Sequence, residues 1–392
     1  MARRLPPCWK TTAWQNEKRW WSMDAKTMVT SMLAVADIRI GGDRPWDIQV
    51  HNPDLYQRVL RQGTLGTGES YMEGWWDCDQ LDVMFCRAIR AHLEAKIHNN
   101  LPVFAIMAAQ TLFNLQSVAR ATMVAEQHYN MDNAMFARML GPTMNYSCGY
   151  WKDASTLDEA QNNKMELICR KLDLKEGMSV LDISCGWGGL SLYMAEHYGA
   201  KVTAVTVSTE QFAYAREHDT EHKVNWLLED YRSIKGRFDR IVSVGMFEHV
   251  GRKNYGVFMD TTHTLLDPSG LFLLHTIGSS TRKTGTDPWI NKYIFPNGML
   301  PSPVCIGKAI MGRYVMEDWH NFGADYDKTL MAWHQRFEEG YAEGAFQCSE
   351  RVRRMYRYYL LSCAGAFRAR DIQLWQIVLS PQGVEGGYCC AR

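Results

Sequence analysis

The sequence lacks a net charge of either sign. Its 392 residues include 43 lysines and arginines and 43 aspartates and glutamates, so the formal net charge is +0. Proteins that bind nucleic acid usually carry a surplus of basic residues, and no such surplus draws this chain to an anionic polymer. We therefore expect no nucleic-acid partner, and any anionic partner must be bound by a local basic patch.

The 11 cysteines form neither a metal-binding nor a disulfide pattern. Their number is odd, and no two of them are spaced as Cys-x-x-Cys. The sequence therefore predicts no metal site and no disulfide framework. Reduced thiols are typical of the cytoplasm, where we expect this protein.

A long hydrophobic run is also missing. A membrane-spanning helix needs about 18 consecutive apolar residues, and no uninterrupted run of that kind occurs. Residues 1–10 contain no apolar core of a signal peptide. We expect a protein that is soluble or peripherally bound to a membrane and does not span it.

Composition divides the chain into three parts. Residues 1–100 predict a small, mainly helical N-terminal domain, and the tryptophans and basic residues between Trp9 and Trp21 suggest lipid contact there. Residues 101–124 begin with an apolar stretch that indicates a helical linker. Residues 125–392 predict the main domain. The alternative to lipid contact is that these aromatic and apolar residues pack against the protein itself.

One block of the first domain is rich in glycine. Gly63–Trp76 contains four glycines, which are unfavourable inside a helix, so we predict a compact loop there. The following stretch, Leu81–Leu93, has the spacing of an amphipathic helix.

A glycine-rich turn at Met178–Leu190 organises the main domain. Apolar residues at 180–183 predict a buried strand, the glycines that follow permit a sharp turn, and a helix is expected from Leu190 to Tyr198. A second strand at Lys201–Val207 completes a βαβ unit. The turn is neither a Gly-x-Gly-x-x-Gly fingerprint nor a phosphate-binding loop, because no Gly-Lys-Ser/Thr follows. Taken alone, it could serve only packing.

Three further strands predict a parallel sheet. Val224–Leu228, Phe238–Gly245 and Gly270–Ile277 alternate with helical segments, as in α/β proteins with helices on both faces of the sheet. Glu248 and His275 follow or end two of these strands. Carboxyl ends of parallel strands border the ligand crevice, so we expect both side chains to have a function there.

These segments resemble one family, the cyclopropane-fatty-acyl-phospholipid synthases, which are S-adenosylmethionine-dependent methyltransferases. The similar blocks are Gly63–Trp76, Tyr146–Cys148, the glycine turn, Val205–Gln211, Val244–Gly251, Leu274–Gly278, Asp287–Gly298, Trp319–Tyr326 and Cys363–Trp375. The resemblance implies an α/β fold of the class I methyltransferase type, with a mostly parallel sheet and a smaller helical N-terminal domain. The two-domain form is similar to the bacterial enzymes that modify phospholipids.

The resemblance also implies a site for S-adenosylmethionine. Residues 146–147 would hold its methionine end, 180–188 would form its cradle, 206–211 would surround the ribose, and 230–231 would flank the adenine. The residues implied are Tyr146, Ser147, Val180, Leu181, Asp182, Ile183, Ser184, Cys185, Gly186, Trp187, Gly188, Thr206, Val207, Ser208, Thr209, Glu210, Gln211, Asp230 and Tyr231.

The same resemblance implies a bound bicarbonate ion and a reaction. The ion would be held by Cys148, Glu248, His275, the backbone of Ile277, and Tyr326. The implied activity adds a methylene unit to the cis double bond of an unsaturated acyl chain in a membrane phospholipid, through a carbocation that bicarbonate deprotonates. Implied catalytic residues are Glu248, His275, Tyr326, Cys148 and Cys363, and aromatic candidates for stabilising the cation are Tyr150, Trp151, Phe247 and Tyr326. The partners would be a bilayer surface and its acyl chains at the inner face of the membrane, and a homodimer is compatible with the resemblance.

The chain departs from the family pattern at a few positions. Family members typically have glycine at the position of Ser184, which would be strained if the backbone there needs a positive φ. Asn130, Asp132 and Ala134 also differ from the usual pattern. Two alternatives therefore remain beside an active synthase: a homologue of low or no activity that binds lipid, and a methyltransferase for another substrate.

A basic patch is predicted near the C-terminus. Arg353, Arg354 and Arg357 have helical spacings and share one side of a helix. They could meet anionic headgroups, or they could be paired with acidic residues elsewhere in the protein.

Overall fold

The computed structural model describes residues 24–93, 133–281 and 285–392. The first of these ranges contains helices and short strands: α1 (Ala25–Val35), β1 (Gln49–Val50), α2 (Leu55–Met72), β2 (Trp76–Asp77) and α3 (Leu81–Arg90). The tryptophan-rich segment, the predicted linker, both predicted domain boundaries and positions 130 and 132 lie outside the described residues.

The remainder of the described chain alternates helices and strands. The elements are α4 (Asn133–Leu140), α5 (Leu157–Lys171), β3 (Ser179–Ile183), α6 (Gly189–Tyr198), β4 (Lys201–Thr206), α7 (Thr209–His218), β5 (Val224–Leu228), β6 (Phe238–Val244), α8 (Phe247–Val250), α9 (Tyr255–Leu265), β7 (Leu266–Gly278), α10 (Pro288–Tyr293), α11 (Pro303–Ile310), β8 (Val315–Asn321), α12 (Ala324–Glu343), α13 (Glu350–Arg368) and β9 (Gln373–Ser380). The predicted strands and the helix after the glycine turn are confirmed to within a few residues.

The larger sheet has seven strands in the order β5-β4-β3-β6-β7-β9-β8. Strands β3 to β7 pair in parallel, and β9 pairs antiparallel with both β7 and β8. The strand order reverses between β3 and β6, so the loops after these two strands lie side by side at the carboxyl edge. This is the position at which open α/β sheets bind their ligands.

Both faces of the sheet are covered, as the sequence predicts. In β3, Leu181 and Ile183 belong to a hydrophobic core that includes Phe258 of α9, whereas Val180 belongs to a second core with Ile168 of α5. Alternating side chains of a strand point to opposite faces, so the two cores lie on the two sides of the sheet.

The N-terminal region shares a core with the C-terminal helices. Trp76 and Leu81 lie in the same buried cluster as Leu361 of α13. The ring of Tyr358, also on α13, contacts the Trp289 ring of α10 at a centroid distance of 4.5 Å. The shared core holds the N-terminal region against α13, and the ring contact joins α13 to α10.

The prediction of a loop at Gly63–Trp76 is wrong. Helix α2 continues through most of this block to Met72 and is interrupted by one non-helical residue, Gly63, at φ 56° and ψ −134°. The glycines permit close packing: a Cβ at Gly68 would lie 2.4 Å from the Trp289 ring. Tertiary packing here outweighs the low helix propensity of glycine, which costs about 1 kcal/mol per residue.

Of the two alternatives for the arginines of α13, the structure supports pairing within the protein and contradicts a free basic patch. Arg353 lies 2.6 Å from Glu338, and Arg354 lies 2.7 Å from Asp77 and donates to two backbone carbonyls of the N-terminal region. Arg357 donates to the carbonyl oxygen of Asp79 at 3.2 Å. These side chains join α13 to the N-terminal region and to α12, and they do not form a free surface for headgroups.

No helix within the described ranges is long and apolar enough to cross a membrane. The same residues contain no cluster of histidine, cysteine and acidic side chains arranged to hold a metal ion. The ten cysteines among them are free thiols.

Candidate active site

The glycine turn after β3 is held by its backbone. The N–H groups of Ser184 and Cys185 donate to the carbonyl oxygen of Val205 at 2.9 and 3.0 Å. A Cβ at Gly189 would lie 2.0 Å from the Thr143 carbonyl oxygen, so only glycine fits there. A Cβ at Gly186 would meet nothing within 4 Å. The turn is therefore tightly packed on one side and borders open space on the other, as a ligand cradle requires.

Ser184 has a positive φ, the conformation in which the sequence analysis expects serine to be strained. Its φ is 67°, in the left-handed region, and its side chain is exposed beside the turn. Residues with a Cβ are strained in this region, and the strain costs on the order of 1–2 kcal/mol. The serine thus occupies a position that favours glycine.

The carboxyl group of Asp182 is hydrogen-bonded to the helix that follows the turn. Its Oδ2 accepts a hydrogen bond from Ser191 Oγ at 2.6 Å, and the side chain is buried. Burial raises the pKa of Asp182 to about 6, although the hydrogen bond from Ser191 and the charge of Lys164 both lower it. The carboxyl group therefore fixes the start of α6.

The predicted ribose residues form a linked group after β4. Thr206 Oγ1 donates to Gln211 Oε1 at 3.0 Å, and Ser208 Oγ accepts from the backbone N–H of Gln211 at 3.3 Å and caps α7. Ser208 Oγ also donates to Glu210 at 3.2 Å. The structure brings these polar groups together at the carboxyl end of β4, next to the glycine turn.

The two residues predicted to flank the adenine follow β5. The Asp230 carboxylate accepts from Arg232 Nε and Nη2 at 2.7 and 2.6 Å. Burial acts to raise the pKa of Asp230, but the bonds from Arg232 lower it below its usual value. The ring of Tyr231 contacts Phe258 at a centroid distance of 5.4 Å.

Tyr146 and Ser147 lie in a loop that covers the same edge. The Tyr146 hydroxyl donates to the Tyr359 hydroxyl at 3.1 Å. Ser147 Oγ accepts from Lys164 Nζ at 2.9 Å, and the Ser147 carbonyl accepts from Gln161 Nε2, also at 2.9 Å. Lys164 is fully buried, and sequence reasoning missed it because no motif marks a lysine within a helix.

Glu248 is brought to the end of β7 by the loop that follows β6. The Gly245 N–H donates to the His275 carbonyl at 2.9 Å, and the Ile277 N–H donates to Glu248 Oε1 at 2.6 Å. Glu248 Oε2 is buried and has no hydrogen-bond partner among the described residues. Burial raises the pKa of Glu248 to about 7. The carboxyl group thus keeps one oxygen without a bond.

His275 presents a complementary unsatisfied atom. Gln376, directly opposite on β9, donates from Nε2 to His275 Nδ1 at 3.3 Å, which assigns the ring hydrogen to Nε2. His275 Nε2 is buried without a partner in the described chain. Burial lowers the pKa of His275 well below its usual value, and the charges of Lys164 and Lys171 add to this, so the ring is neutral. Gln376 is a functional candidate that only the strand pairing reveals.

Cys148 and Tyr326 complete the predicted anion site. Cys148 is fully buried, and its Sγ donates to the Gly149 carbonyl at 3.2 Å and lies 4.0 Å from Thr329 Oγ1. Burial raises the pKa of both the thiol and the Tyr326 phenol well above their usual values, and the charge of Glu248 contributes to the shift of Tyr326. Both groups are therefore neutral at physiological pH. The Ile277 N–H already has Glu248 as its acceptor, so it could contact an anion only by sharing that hydrogen.

Cys363 lies among the tyrosines of α12 and α13. Burial raises the pKa of its thiol to about 12. It is therefore a protonated thiol at neutral pH and a poor nucleophile.

The aromatic residues divide between two environments. Tyr326 contacts Phe367 and Trp333 at centroid distances of 4.5 and 5.9 Å, and Trp333 contacts Tyr146 at 5.2 Å. Phe247 instead stacks on Tyr255 at 4.2 Å, within the core that contains Phe258. The structure thus adds Trp333 to the candidate aromatic lining.

The other two aromatic candidates lie on the loop between α4 and α5. Tyr150 contacts Phe322 at a centroid distance of 5.3 Å. The Trp151 indole N–H donates to Thr329 at 2.9 Å. Thr329 Oγ1 also accepts from the Gly149 N–H at 3.1 Å, so it ties this loop to α12 beside Cys148.

Comparison with known sequences identifies relatives over most of the chain. Residues 116–377 match the family described as mycolic acid cyclopropane synthetase. The chain is 54% identical over 365 residues to the cyclopropane-fatty-acyl-phospholipid synthase of Escherichia coli, with 93% of this chain and 95% of that protein covered. It is 37% identical over 265 residues to a probable fatty acid methyltransferase of Pseudomonas putida, with 64% and 67% covered.

Solved structures agree with this assignment. The cyclopropane synthase MmaA2 from Mycobacterium tuberculosis aligns with a TM-score of 0.61 at 31% identity, over 66% of this chain and 97% of that one. Mycolic acid cyclopropane synthase CmaA1, in complex with S-adenosylhomocysteine (SAH) and CTAB, aligns with a TM-score of 0.60 at 31% identity and the same coverage. Coclaurine N-methyltransferase aligns with a TM-score of 0.64 at 21% identity over 80% and 98%, a likeness in fold alone.

These matches confirm the class I methyltransferase fold that the sequence predicts. The family match spans most of the chain, and the Escherichia coli relative is similar over nearly its whole length. The chain therefore belongs to the cyclopropane synthase family and is an S-adenosylmethionine-dependent methyltransferase.

Proposed function

We propose that the protein adds a methylene unit from S-adenosylmethionine to the cis double bond of an unsaturated acyl chain in a membrane phospholipid. One observation favours this reaction over simple transfer of a methyl group. Glu248 Oε2, an acceptor, and His275 Nε2, a donor, are both buried at the sheet edge that holds the glycine turn, and neither has a partner in the part of the chain that the structure describes. Buried polar atoms are normally satisfied, so the pair indicates a small bound group that both donates and accepts.

The residues around the glycine turn fit S-adenosylmethionine. The turn borders open space at Gly186, and polar groups of β4 and of the loop at 145–148 surround the same edge. When bound, the cofactor supplies an electrophilic methyl group on its sulfonium. We assign Tyr146 and Ser147 to its methionine end, the turn at 180–188 to its cradle, Thr206–Gln211 to its ribose, and Asp230 and Tyr231 to its adenine.

The unsatisfied pair fits bicarbonate. This anion carries one hydrogen that Glu248 Oε2 could accept and oxygens that His275 Nε2 and the neutral hydroxyl of Tyr326 could reach as donors. Bicarbonate would supply a small base beside the reacting carbon. Gln376 holds the ring of His275 in the tautomer that donates from Nε2. Glu248 and His275 would thus orient the base without contacting the reacting cation themselves.

The surrounding side chains suit an apolar substrate. Tyr326, Trp333 and Tyr146 form connected aromatic contacts beside the neutral Cys148 thiol. Aromatic faces stabilise positive charge without forming a bond to it, and they exclude water that would quench a cation. We further propose that the protein acts from the cytoplasm at the inner surface of the membrane.

The competing proposal is a homologue of low activity, and Ser184 supports it. The left-handed φ of this serine strains the cradle, which would weaken cofactor binding. The retained Glu248 and His275 pair favours an active enzyme, because a protein that only binds lipid needs no site for a base.

Replacing Glu248 by Gln tests the assignment. We expect SAH affinity to stay within about twofold while turnover of unsaturated phospholipid falls by about a hundredfold or more, because the carboxylate orients the base and does not touch the sulfonium. Calorimetric titration with SAH and lipid mass spectrometry measure the two quantities. Equal losses of binding and turnover would instead place Glu248 in the cofactor site.

A further inference from the structure

A fully buried lysine lies behind the cofactor loop and has no acidic partner. Lys164 is 0% exposed on α5, and its Nζ donates to Ser147 Oγ at 2.9 Å. Among the described residues, no carboxylate lies within ion-pair distance of this ammonium. Buried lysines are rare unless they are paired, so a direct anionic contact for this charge is missing from the described residues.

Lys171 on the same helix shows what a paired buried lysine looks like. It is also 0% exposed, but its Nζ lies 3.3 Å from the Asp318 carboxylate and 3.1 Å from His320 Nδ1. Lys164 has a serine hydroxyl in the equivalent place. Lys164 and Lys171 are thus equally buried on the same helix and differ in that only Lys171 contacts a carboxylate.

The hydrogen bond to Ser147 has a defined direction. In its ammonium form Lys164 is only a donor, so Ser147 Oγ accepts from it, and the hydroxyl hydrogen of Ser147 is then available to a different acceptor. The charge of Lys164 polarises this hydroxyl and favours a negatively charged acceptor. Gln161, one helical turn earlier, binds the Ser147 carbonyl at 2.9 Å and fixes the loop in register with α5.

The groups near Lys164 restrict where the anion can lie. Burial lowers the pKa of Lys164 to about 7, and Cys148 and Asp182 act in the opposite direction. Asp182 acts on Lys164 through its charge, but it lies beyond ion-pair distance and is bound to Ser191, and the Cys148 thiol is neutral, so neither places an anion in contact with Lys164 or Ser147. A ligand that brings a carboxylate to Ser147 would supply that contact.

We propose that Lys164 is a positioning residue which, through the hydroxyl of Ser147, binds the carboxylate at the methionine end of S-adenosylmethionine. The inference rests on the proposed placement of Ser147 in the cofactor site. It adds to that placement a residue, a charge and a chemical group on the cofactor. It also predicts discrimination between cofactor analogues that differ only in the carboxylate.

The test compares two ligands by calorimetry. SAH carries the carboxylate, and its decarboxylated analogue, S-adenosyl-3-thiopropylamine, lacks only that group. In the parent protein, SAH should bind more tightly. In Lys164→Met, SAH affinity should fall by about tenfold or more, while affinity for the decarboxylated ligand should stay within about twofold. Ser147→Ala should show the same selective loss, and the double variant should lose little more than Lys164→Met alone, because both act through one contact.

Lys171→Met is the matched control, since it removes a buried lysine from the same helix. It should lower stability and leave the ratio of the two affinities unchanged. Equal losses of both ligands in Lys164→Met would overturn the proposal and show a general structural role. An unchanged SAH affinity with an altered bicarbonate dependence of turnover would also overturn it and assign the charge to bicarbonate.

Two further results keep the tests separate. If Lys164→Met does not fold, Lys164→Gln, which keeps a donor but removes the charge, decides the proposal: a selective loss of SAH supports it, and equal losses of both ligands overturn it. A protein that binds SAH selectively through Lys164 and yet forms no cyclopropane lipid would contradict the proposed function and leave this inference standing.

Discussion

Replacing Ser184 by glycine should relieve strain in the cofactor turn, which appears as a gain in stability or in cofactor affinity. Ser184 adopts φ 67° in the turn that follows β3, and both its N–H and that of Cys185 bind the Val205 carbonyl, so the backbone cannot relax without losing these bonds. Relief of left-handed strain contributes roughly 1–2 kcal/mol. The greater freedom of glycine in the unfolded chain costs about 0.5–1 kcal/mol.

The difference between these two terms is a gain of up to about 1.5 kcal/mol in folding stability, with a central value of about 0.75 kcal/mol. The gain appears in folding stability if the empty turn keeps φ 67°, and in binding if the empty turn gives up its bonds to Val205 and relaxes; in binding, 1 kcal/mol corresponds to about fivefold in affinity. Urea unfolding measures the first quantity and calorimetric titration with SAH measures the second. Turnover should rise with the affinity at low cofactor concentration.

Ser184→Ala is the control, because it removes the hydroxyl and keeps the Cβ. It should give no gain in stability or affinity if the backbone strain is the cause. An equal gain in Ser184→Ala and Ser184→Gly would exclude backbone strain as the cause, since it would assign the effect to the hydroxyl group. No change in Ser184→Gly would mean that the turn accommodates serine without cost.

Three further predictions follow from buried contacts. The pKa of Glu248 is raised by burial to about 7, so this group stabilises the fold at low pH and loses that contribution as pH rises through about 7. Urea unfolding should therefore show Glu248→Gln gaining up to about 3 kcal/mol relative to the parent between pH 4.5 and 8, and a constant difference would contradict the shift. Gln376→Leu should lower turnover by about tenfold and leave SAH affinity unchanged, because it frees the His275 ring to adopt the other tautomer. An unaltered rate would show that Gln376 has no role in the active site. Gly68→Ala should destabilise the protein by roughly 1–3 kcal/mol, since its Cβ would lie 2.4 Å from the Trp289 ring, whereas alanine at Gly307, where nothing lies within 4 Å, should not.

The sheet is largely predictable from the sequence, because each strand is a short apolar run bounded by turn residues. The strand at 224–228 has the predicted bounds, and the helix after the glycine turn ends at Tyr198 as expected, with Gly199 as its left-handed cap. The strained position was also predictable, because a family resemblance showed where glycine is usual. The positions of Glu248 and His275 at one sheet edge follow from the topology of parallel sheets.

Features that depend on distant contacts were not predictable. The glycines of α2 look like a loop until Trp289, more than two hundred residues later, packs on Gly68. The arginines of α13 have the spacing of an exposed face, and only the fold brings Asp77 and Glu338 to them. Lys164 and Gln376 belong to no motif. Their importance arises from the burial of one and from the antiparallel pairing that places the other opposite His275.

We propose that the protein forms a ring by adding a methylene unit. Ring closure requires a base at the site of Glu248 and His275. The most direct measurement supplies S-adenosylmethionine with a fully deuterated methyl group and vesicles of phospholipid with cis-unsaturated acyl chains, followed by mass spectrometry of the lipids. We expect acyl chains that gain one carbon and two of the three deuterons, because the base removes the third. Chains that retain all three deuterons would show simple methyl transfer without ring closure, and the absence of any modified lipid would exclude both reactions.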